Sequence, residues 1–228
     1  MNVTTRALRI DVDGGTLDAD LALPLEPRGI VLFAHGSGSS RRSPRNLYVA
    51  SRLHLDGFGT LLFDLLTPRE QLLDDRTREL RFDVSLLAAR LRAATDTLAS
   101  DRSVPLWRGY FGASTGAAAA LVAAATDRGV GAVVSRGGRP DLAGDALELV
   151  RAPTLLIVGG DDTVVLDLNE QALRRLECVK ELAVVPGATH LFEEPGALDD
   201  VCDHATAWFD RHCPDGQRAI RQTVRSRR

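Results

Sequence analysis

The segment Gly112-Ala113-Ser114-Thr115-Gly116 matches G-x-S-x-G, a spacing that can hold a serine on a sharp strand-to-helix turn. It follows an apolar run ending at Phe111 and opens an almost all-alanine stretch, Gly116–Thr126. On such a turn the serine backbone is strained and its Oγ stands clear of the sheet. Glycines two residues either side avoid a collision across the bend. The free N–H groups and positive end of the new helix then face the serine and favour an oxyanion. A serine hydroxyl needs a base at neutral pH. Of the five histidines, His35 opens a glycine-rich loop, while His54, His204 and His212 fall in helical patterns. His190 alone sits in a loop, Gly187-Ala188-Thr189-His190, just after the last predicted strand. A carboxylate that fixes the imidazole tautomer has two candidates, Asp161 and Asp162, in Gly159-Gly160-Asp161-Asp162-Thr163-Val164-Val165.

Two further groups of residues belong with these. His35-Gly36-Ser37-Gly38-Ser39-Ser40 follows the apolar run Ile30–Ala34 and can present backbone N–H donors, so Gly36, Ser37 and Thr115 are the expected oxyanion hole. A phosphate-loop reading of this stretch lacks the lysine and the G-x-x-x-x-G-K spacing. Arg41, Arg42 and Arg45 come next, and Arg136 and Arg139 stand in SRGGRPD after another apolar run. Guanidinium donors there would suit a carboxylate- or phosphate-bearing substrate, with Arg136, Arg41 and Arg42 as candidate contacts. With 28 basic residues in the chain, surface arginines also fall here without any such role.

The elements that must position these residues are legible as short apolar runs alternating with helical patterns. Leu8–Val12 and Leu17–Leu23, joined through Asp13-Gly14-Gly15, predict an antiparallel N-terminal hairpin. Ile30–Ala34, Thr60–Phe63, Leu106–Phe111, Val130–Ser135, Thr154–Val158 and Leu182–Val185 read as buried parallel strands. The sum is an α/β fold with about eight strands, mostly parallel, and helices on both faces. A helical stripe runs through Leu80, Val84, Leu87, Leu91, Ala94 and Leu98, and another from Leu198 to His212. The polar stretch Leu66–Glu79 reads equally as a small flap over the site or as a surface loop.

At 228 residues, 44% of them hydrophobic and 26% charged, the chain has the balance of a globular domain with a sizeable core. Residues 1–213 are expected to form that domain and 214–228 a basic tail, in which Arg218, Arg221, Arg225, Arg227 and Arg228 face Asp215 alone. The net charge of −3 does not suggest a nucleic-acid partner. No run suits a membrane span, and the polar Met1–Arg9 stretch lacks a signal-like apolar core. Three cysteines without metal-ligand spacing fit a reducing compartment, so a cytoplasmic location is expected.

Laid in order, these segments resemble the α/β-hydrolase superfamily, and within it the dienelactone-hydrolase-like branch. The resemblance covers about Val12 to His212 and rests on HGSGSS, GYFGASTGAAAAL, VVSRGGRPDLA, LLIVGGDDTVV and VVPGATHLFEEPG. It implies the α/β-hydrolase fold and a serine hydrolase that cleaves a carboxylic ester, thioester or lactone through an acyl-enzyme, with no metal and no organic cofactor. In this family the acid stands three residues after the glycine ending its strand, which selects Asp162, and the base maps onto His190 within GATH. Dienelactone hydrolases use a cysteine where Ser114 stands, and their oxyanion loop lacks the His35-Gly36 pair; a generic ester-type substrate is therefore expected rather than dienelactone. Members of the branch also occur beside phosphoribosyltransferase domains, which points to a phosphorylated or nucleotide-linked context. Two rival readings differ in class or scope. One is a catalytically silent binding or scaffold module, against which the complete Ser, His and Asp set argues. The other is a cofactor-free perhydrolase, which peracid formation from acetate would reveal. The expected partner is a small ester-type molecule, and the sequence suits a monomer or a homodimer.

Overall fold

The computed structural model describes residues 2–101 and 103–214. The expected basic tail, from Asp215 onward, lies outside the described residues. An eight-stranded sheet runs in the order β1-β2-β4-β3-β5-β6-β7-β8, built from β1 (Val3–Val12), β2 (Gly15–Pro24), β3 (Gly29–Ala34), β4 (Phe58–Phe63), β5 (Arg108–Ala113), β6 (Val130–Arg136), β7 (Thr154–Gly159) and β8 (Lys180–Val185). The β1–β2 and β2–β4 pairs are antiparallel and every other pair is parallel. This is the mostly parallel eight-stranded sheet with an antiparallel N-terminal hairpin that the order of apolar runs predicts, and the α/β-hydrolase arrangement that the resemblance implies.

The hairpin is longer than its apolar pattern, because β1 is an edge strand and most of its residues face solvent. Only Ile10 on β1 is fully buried, so the first half carries no hydrophobic alternation to read. The central strands β3, β4 and β7 are buried along their whole length, as strands covered on both faces must be.

Six α-helices cover the sheet: α1 (Pro44–Leu55), α2 (Pro68–Thr77), α3 (Val84–Ala99), α4 (Thr115–Thr126), α5 (Thr163–Arg175) and α6 (Ala197–His212). Two apolar cores result. One joins the sheet to α3, α4 and the inner side of α5 through Leu87, Leu91, Ala94, Leu121 and Ala172. The other joins the opposite face to α1 and α6 through Val49, Leu53, Phe111, Trp208 and Phe209. In α4 the alanines Ala117, Ala118, Ala119 and Ala120 are wholly buried, so small side chains let the helix lie close on the strands behind the elbow. No helix among the described residues is long and apolar enough to cross a membrane.

Two local expectations are revised. The stretch Leu66–Glu79 is not a plain surface loop but contains helix α2, started by a capping box. Thr67 Oγ1 accepts from Glu70 N–H at 3.3 Å, and Glu70 Oε2 accepts from Thr67 N–H at 2.8 Å. Glu70 also binds the buried Arg90 of α3 at 2.6 Å, which ties the short helix to the core. The stripe beginning at Leu80 is broken as well: Leu80–Phe82 make one 3₁₀ turn, and α3 starts at Val84 because Asp83 caps Leu86 N–H at 2.9 Å. Replacing Thr67 by alanine removes the cap and the methyl group that lies beside Gly15 of β2. It is expected to cost about 1 kcal/mol in urea unfolding at unchanged m-value.

Candidate active site

Ser114 stands between β5 and α4 and is met by the loops after β3 and β6, while the loops after β7 and β8 meet each other through Asp162 and His190. Its backbone, at φ 51° and ψ −121°, is left-handed for a residue that carries a Cβ. Such a conformation persists only when the surroundings over-determine it. Ser114 N–H donates to Arg136 C=O at 3.2 Å, while Ser114 C=O accepts from Ala117 N–H and Arg139 N–H, both at 3.1 Å. The flanking chain tolerates no side chain. A Cβ at Gly112 would meet Gly116 O at 2.6 Å, and one at Gly36 would stand 3.1 Å from Ser114 Cβ. The loop after β3 is thereby pressed against the serine.

That loop is held by His35, which is nine-tenths buried. Its Nδ1 lies 3.0 Å from Gly36 O, and its Nε2 accepts from Leu65 N–H at 3.2 Å. These partners require the neutral tautomer protonated on Nδ1. Burial lowers the His35 pKa; the Gly36 carbonyl and the Asp64 charge oppose that shift without overcoming it. Gly36 C=O is also an acceptor for Ser39 N–H at 3.2 Å. With the carbonyl so engaged, the peptide linking Gly36 to Ser37 is fixed in orientation. Thr115 is the first residue of α4, so its N–H has no intrahelical acceptor. Gly36, Ser37 and Thr115 line one pocket together with His35, Leu66, Gln71, Asp74 and Arg81.

His190 Nδ1 lies 2.7 Å from Asp162 Oδ2. Asp162 is mostly shielded, with 15% of its side chain exposed, and the imidazole is more open at 39%. The neighbouring Asp161 is exposed and does not meet the ring; its N–H donates to Ala188 O at 3.0 Å. The histidine loop is anchored by Phe192, buried and at φ 55°, and by Thr189 Oγ1, which donates to Glu194 at 2.6 Å. Gly137, next to the residue that holds Ser114 N–H, packs under this loop. A Cβ there would lie 3.1 Å from His190 O and 3.6 Å from His190 Cε1.

The three candidate arginines separate sharply. Arg41 is committed to the protein's own carboxylates: it binds Asp64, reaches Asp20 at 3.2 Å and lies 3.7 Å from Asp18. This corrects the expectation of a substrate contact at Arg41. Arg42 is exposed on the rim of a second, wider pocket that also includes His35, Asp18, Asp64 and Gln71. Arg136 is buried at the end of β6, and its Nε and Nη1 find no acceptor among the described residues.

Sequence reasoning allowed a flap at Leu66–Glu79 but named none of the residues that α2 contributes. Asp74, only 1% exposed, binds Arg81 Nε at 2.6 Å and accepts Arg81 N–H at 3.0 Å, and these two residues and Gln71 line the same pocket as Gly36, Ser37 and Thr115. The Thr67-x-x-Glu70 spacing was the available signal for that helix. Asn169, fully buried on α5, was also missed. Its Nδ2 donates to Gly138 O at 3.0 Å and so braces the turn whose next N–H, at Arg139, holds Ser114.

Comparison with known proteins follows the same lines. A dienelactone hydrolase from Anabaena variabilis, solved as a crystal structure, is 55% identical; the alignment covers 93% of this chain and 99% of that one, with a TM-score of 0.90. Est1E from Butyrivibrio proteoclasticus is 18% identical over 90% of this chain and 98% of its own, at a TM-score of 0.76. XC6422 from Xanthomonas campestris, described as an α/β serine hydrolase without lid, is 22% identical over 92% of this chain and 95% of its own, at 0.74. These last two likenesses bear on fold alone. Two Mycobacterium tuberculosis proteins that carry a phosphoribosyl transferase name are 61% identical over 196 residues, which is 84% of this chain but 43% of theirs. The chain thus spans less than half the length of these curated relatives. No protein-family model matches it.

The His35 assignment has a pH consequence. A histidine whose pKa is lowered by folding binds fewer protons than in the unfolded chain, so stability declines as pH falls through the unfolded value near 6.5. The melting temperature is expected to drop between pH 7 and pH 5, with a shallower slope in His35→Gln. Equal slopes in the two proteins would remove His35 as the group responsible. His54 and His212, also lowered by burial, contribute to the slope that remains.

Proposed function

This chain belongs to the dienelactone-hydrolase-like branch of the α/β hydrolases, and on that footing we propose that it is a serine hydrolase cleaving an ester-type bond. The carboxylic ester, thioester and lactone share the carbonyl that such a site attacks. The observation that carries the reading is the 2.7 Å His190–Asp162 pair, set one glycine away from the residue that holds an elbow serine. The relatives support a hydrolase in general; the residue roles and the substrate class are our own reading.

In the proposed mechanism Asp162 accepts a hydrogen bond from His190 Nδ1–H and holds the neutral tautomer whose free lone pair is on Nε2. His190 takes the Ser114 proton while Oγ attacks the carbonyl carbon, and the carbonyl π electrons move to oxygen. The N–H groups of Ser37 and Thr115 hold that oxyanion, and the neutral His35 keeps the Ser37 N–H aimed by gripping the carbonyl before it. Collapse expels the alcohol, thiol or ring oxygen, protonated by the imidazolium. Water then attacks the acyl-enzyme with His190 again as base, and the acid product leaves with Ser114 restored. Each step conserves protons within the Ser114–His190 pair and the water consumed.

A transferase role is not proposed for this chain, since the identity to the phosphoribosyl transferase-named proteins covers 43% of their length. A cytoplasmic location is proposed on the cysteine usage, an odd count of three without metal-ligand spacing.

The deciding experiment is labelling with a fluorophosphonate probe, followed by mass spectrometry of the adduct. Wild-type protein is expected to carry the adduct on Ser114, and Ser114→Ala to take none while melting at an unchanged temperature. Ester turnover should fall by at least about 10³-fold in the same variant, in line with losses on removal of a triad nucleophile. Labelling that persists in Ser114→Ala, or folded wild type that takes no label, counts against the reading and favours a binding module.

A further inference from the structure

We propose that Arg136 forms the base of an anion subsite beside Ser114, filled by a carboxylate or phosphate group of the substrate. The proposal deepens the serine-hydrolase reading and rests on it for the word substrate, though not for the anion site itself.

The argument begins with charge balance. Burying a guanidinium is costly unless a carboxylate or a full set of acceptors compensates it. This protein observes that rule elsewhere near the site. Arg90, equally buried, is met by Glu70 at 2.6 Å and by Asp13 O at 3.2 Å. Arg81 is held by Asp74, Arg139 by Asp141 at 2.7 Å, and Arg41 by its three aspartates. Arg136 is the exception. Only 8% of it is exposed, and neither Nε nor Nη1 has an acceptor among the described residues. Its pKa is pushed down to about 10, first by burial and then by the charge of Arg45. A second cation has thus been placed where an anion would be expected.

The setting fits a ligand group. Arg136 shares the β6 face of Ala132 and Val134, which pack into the core below α1 and α6. Arg45, in the first turn of α1, has an unpartnered Nε as well and is tied through Nη1 to Glu193 at 3.1 Å, three residues beyond His190. Glu193 therefore accounts for the charge of Arg45 and leaves that of Arg136 open. The backbone of Arg136 receives Ser114 N–H, and its neighbour Gly137 packs under His190, so the open charge belongs to the same loop as the chemistry. Planar guanidinium donors favour carboxylate and phosphate oxygens over neutral acceptors.

The test has a kinetic arm and a binding arm. In the first, wild type and Arg136→Met are compared on 4-nitrophenyl hemiglutarate and on the uncharged 4-nitrophenyl pentanoate. The expected result is a KM for the anionic ester that rises at least ten-fold more than that for the neutral one. Methionine retains the length and removes the uncompensated charge, so the variant should melt no lower than wild type, and Arg136→Lys should recover part of the preference. In the second arm, glutarate and inorganic phosphate are titrated calorimetrically into Ser114→Ala, with and without Arg136→Met. Glutarate binding lost in the double variant supports a substrate carboxylate; phosphate binding alone, lost likewise and inhibiting ester turnover, supports a phosphate group. Phosphate that binds without slowing turnover would mean a free-anion site and overturn the substrate assignment. Binding of neither anion overturns the subsite itself, even if ester hydrolysis through Ser114 is established, and the binding arm remains decisive if hydrolysis is not.

Discussion

The strained backbone of Ser114 is the constraint on which the rest of the site depends. A Cβ-bearing residue at φ 51° is destabilised by roughly 1–3 kcal/mol, so neighbouring structure must hold it there. Four elements do so. The carbonyl of Arg136 and the N–H of Arg139 reach it from the end of β6, Gly36 presses in from the end of β3, and Gly112 lets β5 turn directly into α4. Asn169 extends the support to α5 through Gly138. Because the contacts are backbone groups and absent side chains, the elbow tolerates wide variation in what surrounds it but little in its own glycines.

Around this fixed point the electrostatics are graded by burial. His35 is kept neutral because a charge in that position would be desolvated and would lose its acceptor role toward Leu65 N–H. The carboxylates of Asp64, Asp74 and Glu70 are each matched to an arginine, which stiffens the rim formed by the β3 loop and α2. These ion pairs serve position more than stability, since the desolvation of both partners offsets much of their attraction. Arg136 departs from the pattern: it is buried, and its Nε and Nη1 meet no acceptor among the described residues.

The relatives divide in an informative way. A dienelactone hydrolase keeps 55% identity across almost the whole of both chains, whereas Est1E and XC6422 keep the sheet and helices at 18% and 22%. The α/β scaffold requires only that apolar strands end in loops at one edge, so it survives extensive substitution. The mycobacterial relatives are 61% identical over the shared segment, yet more than half of their length lies beyond it, so their name reflects more than this hydrolase-fold segment.

Much of the architecture was legible in the order of residues, because strands buried on both faces are apolar runs and an elbow serine needs glycines at set spacing. The eight strands, the helices of the α4 and α6 stretches, and the candidates Ser114 and His190 could all be named before any coordinates. Asp161 and Asp162 could not be separated by chemistry, since adjacent carboxylates differ only in which way the loop turns them; likeness to a family favoured Asp162, and the fold places that residue on the imidazole. The first half of β1 was invisible because an edge strand needs no apolar pattern, and α2 because its polar surface masks all but the Thr67–Glu70 cap. Least legible were the arginines. Arg41, Arg81 and Arg136 are chemically identical in sequence, and only the tertiary structure decides that the first two meet aspartates while the third is left buried without an acceptor among the described residues. A charge acquires its meaning from the partners and solvent around it, and those are set by residues distant in the chain.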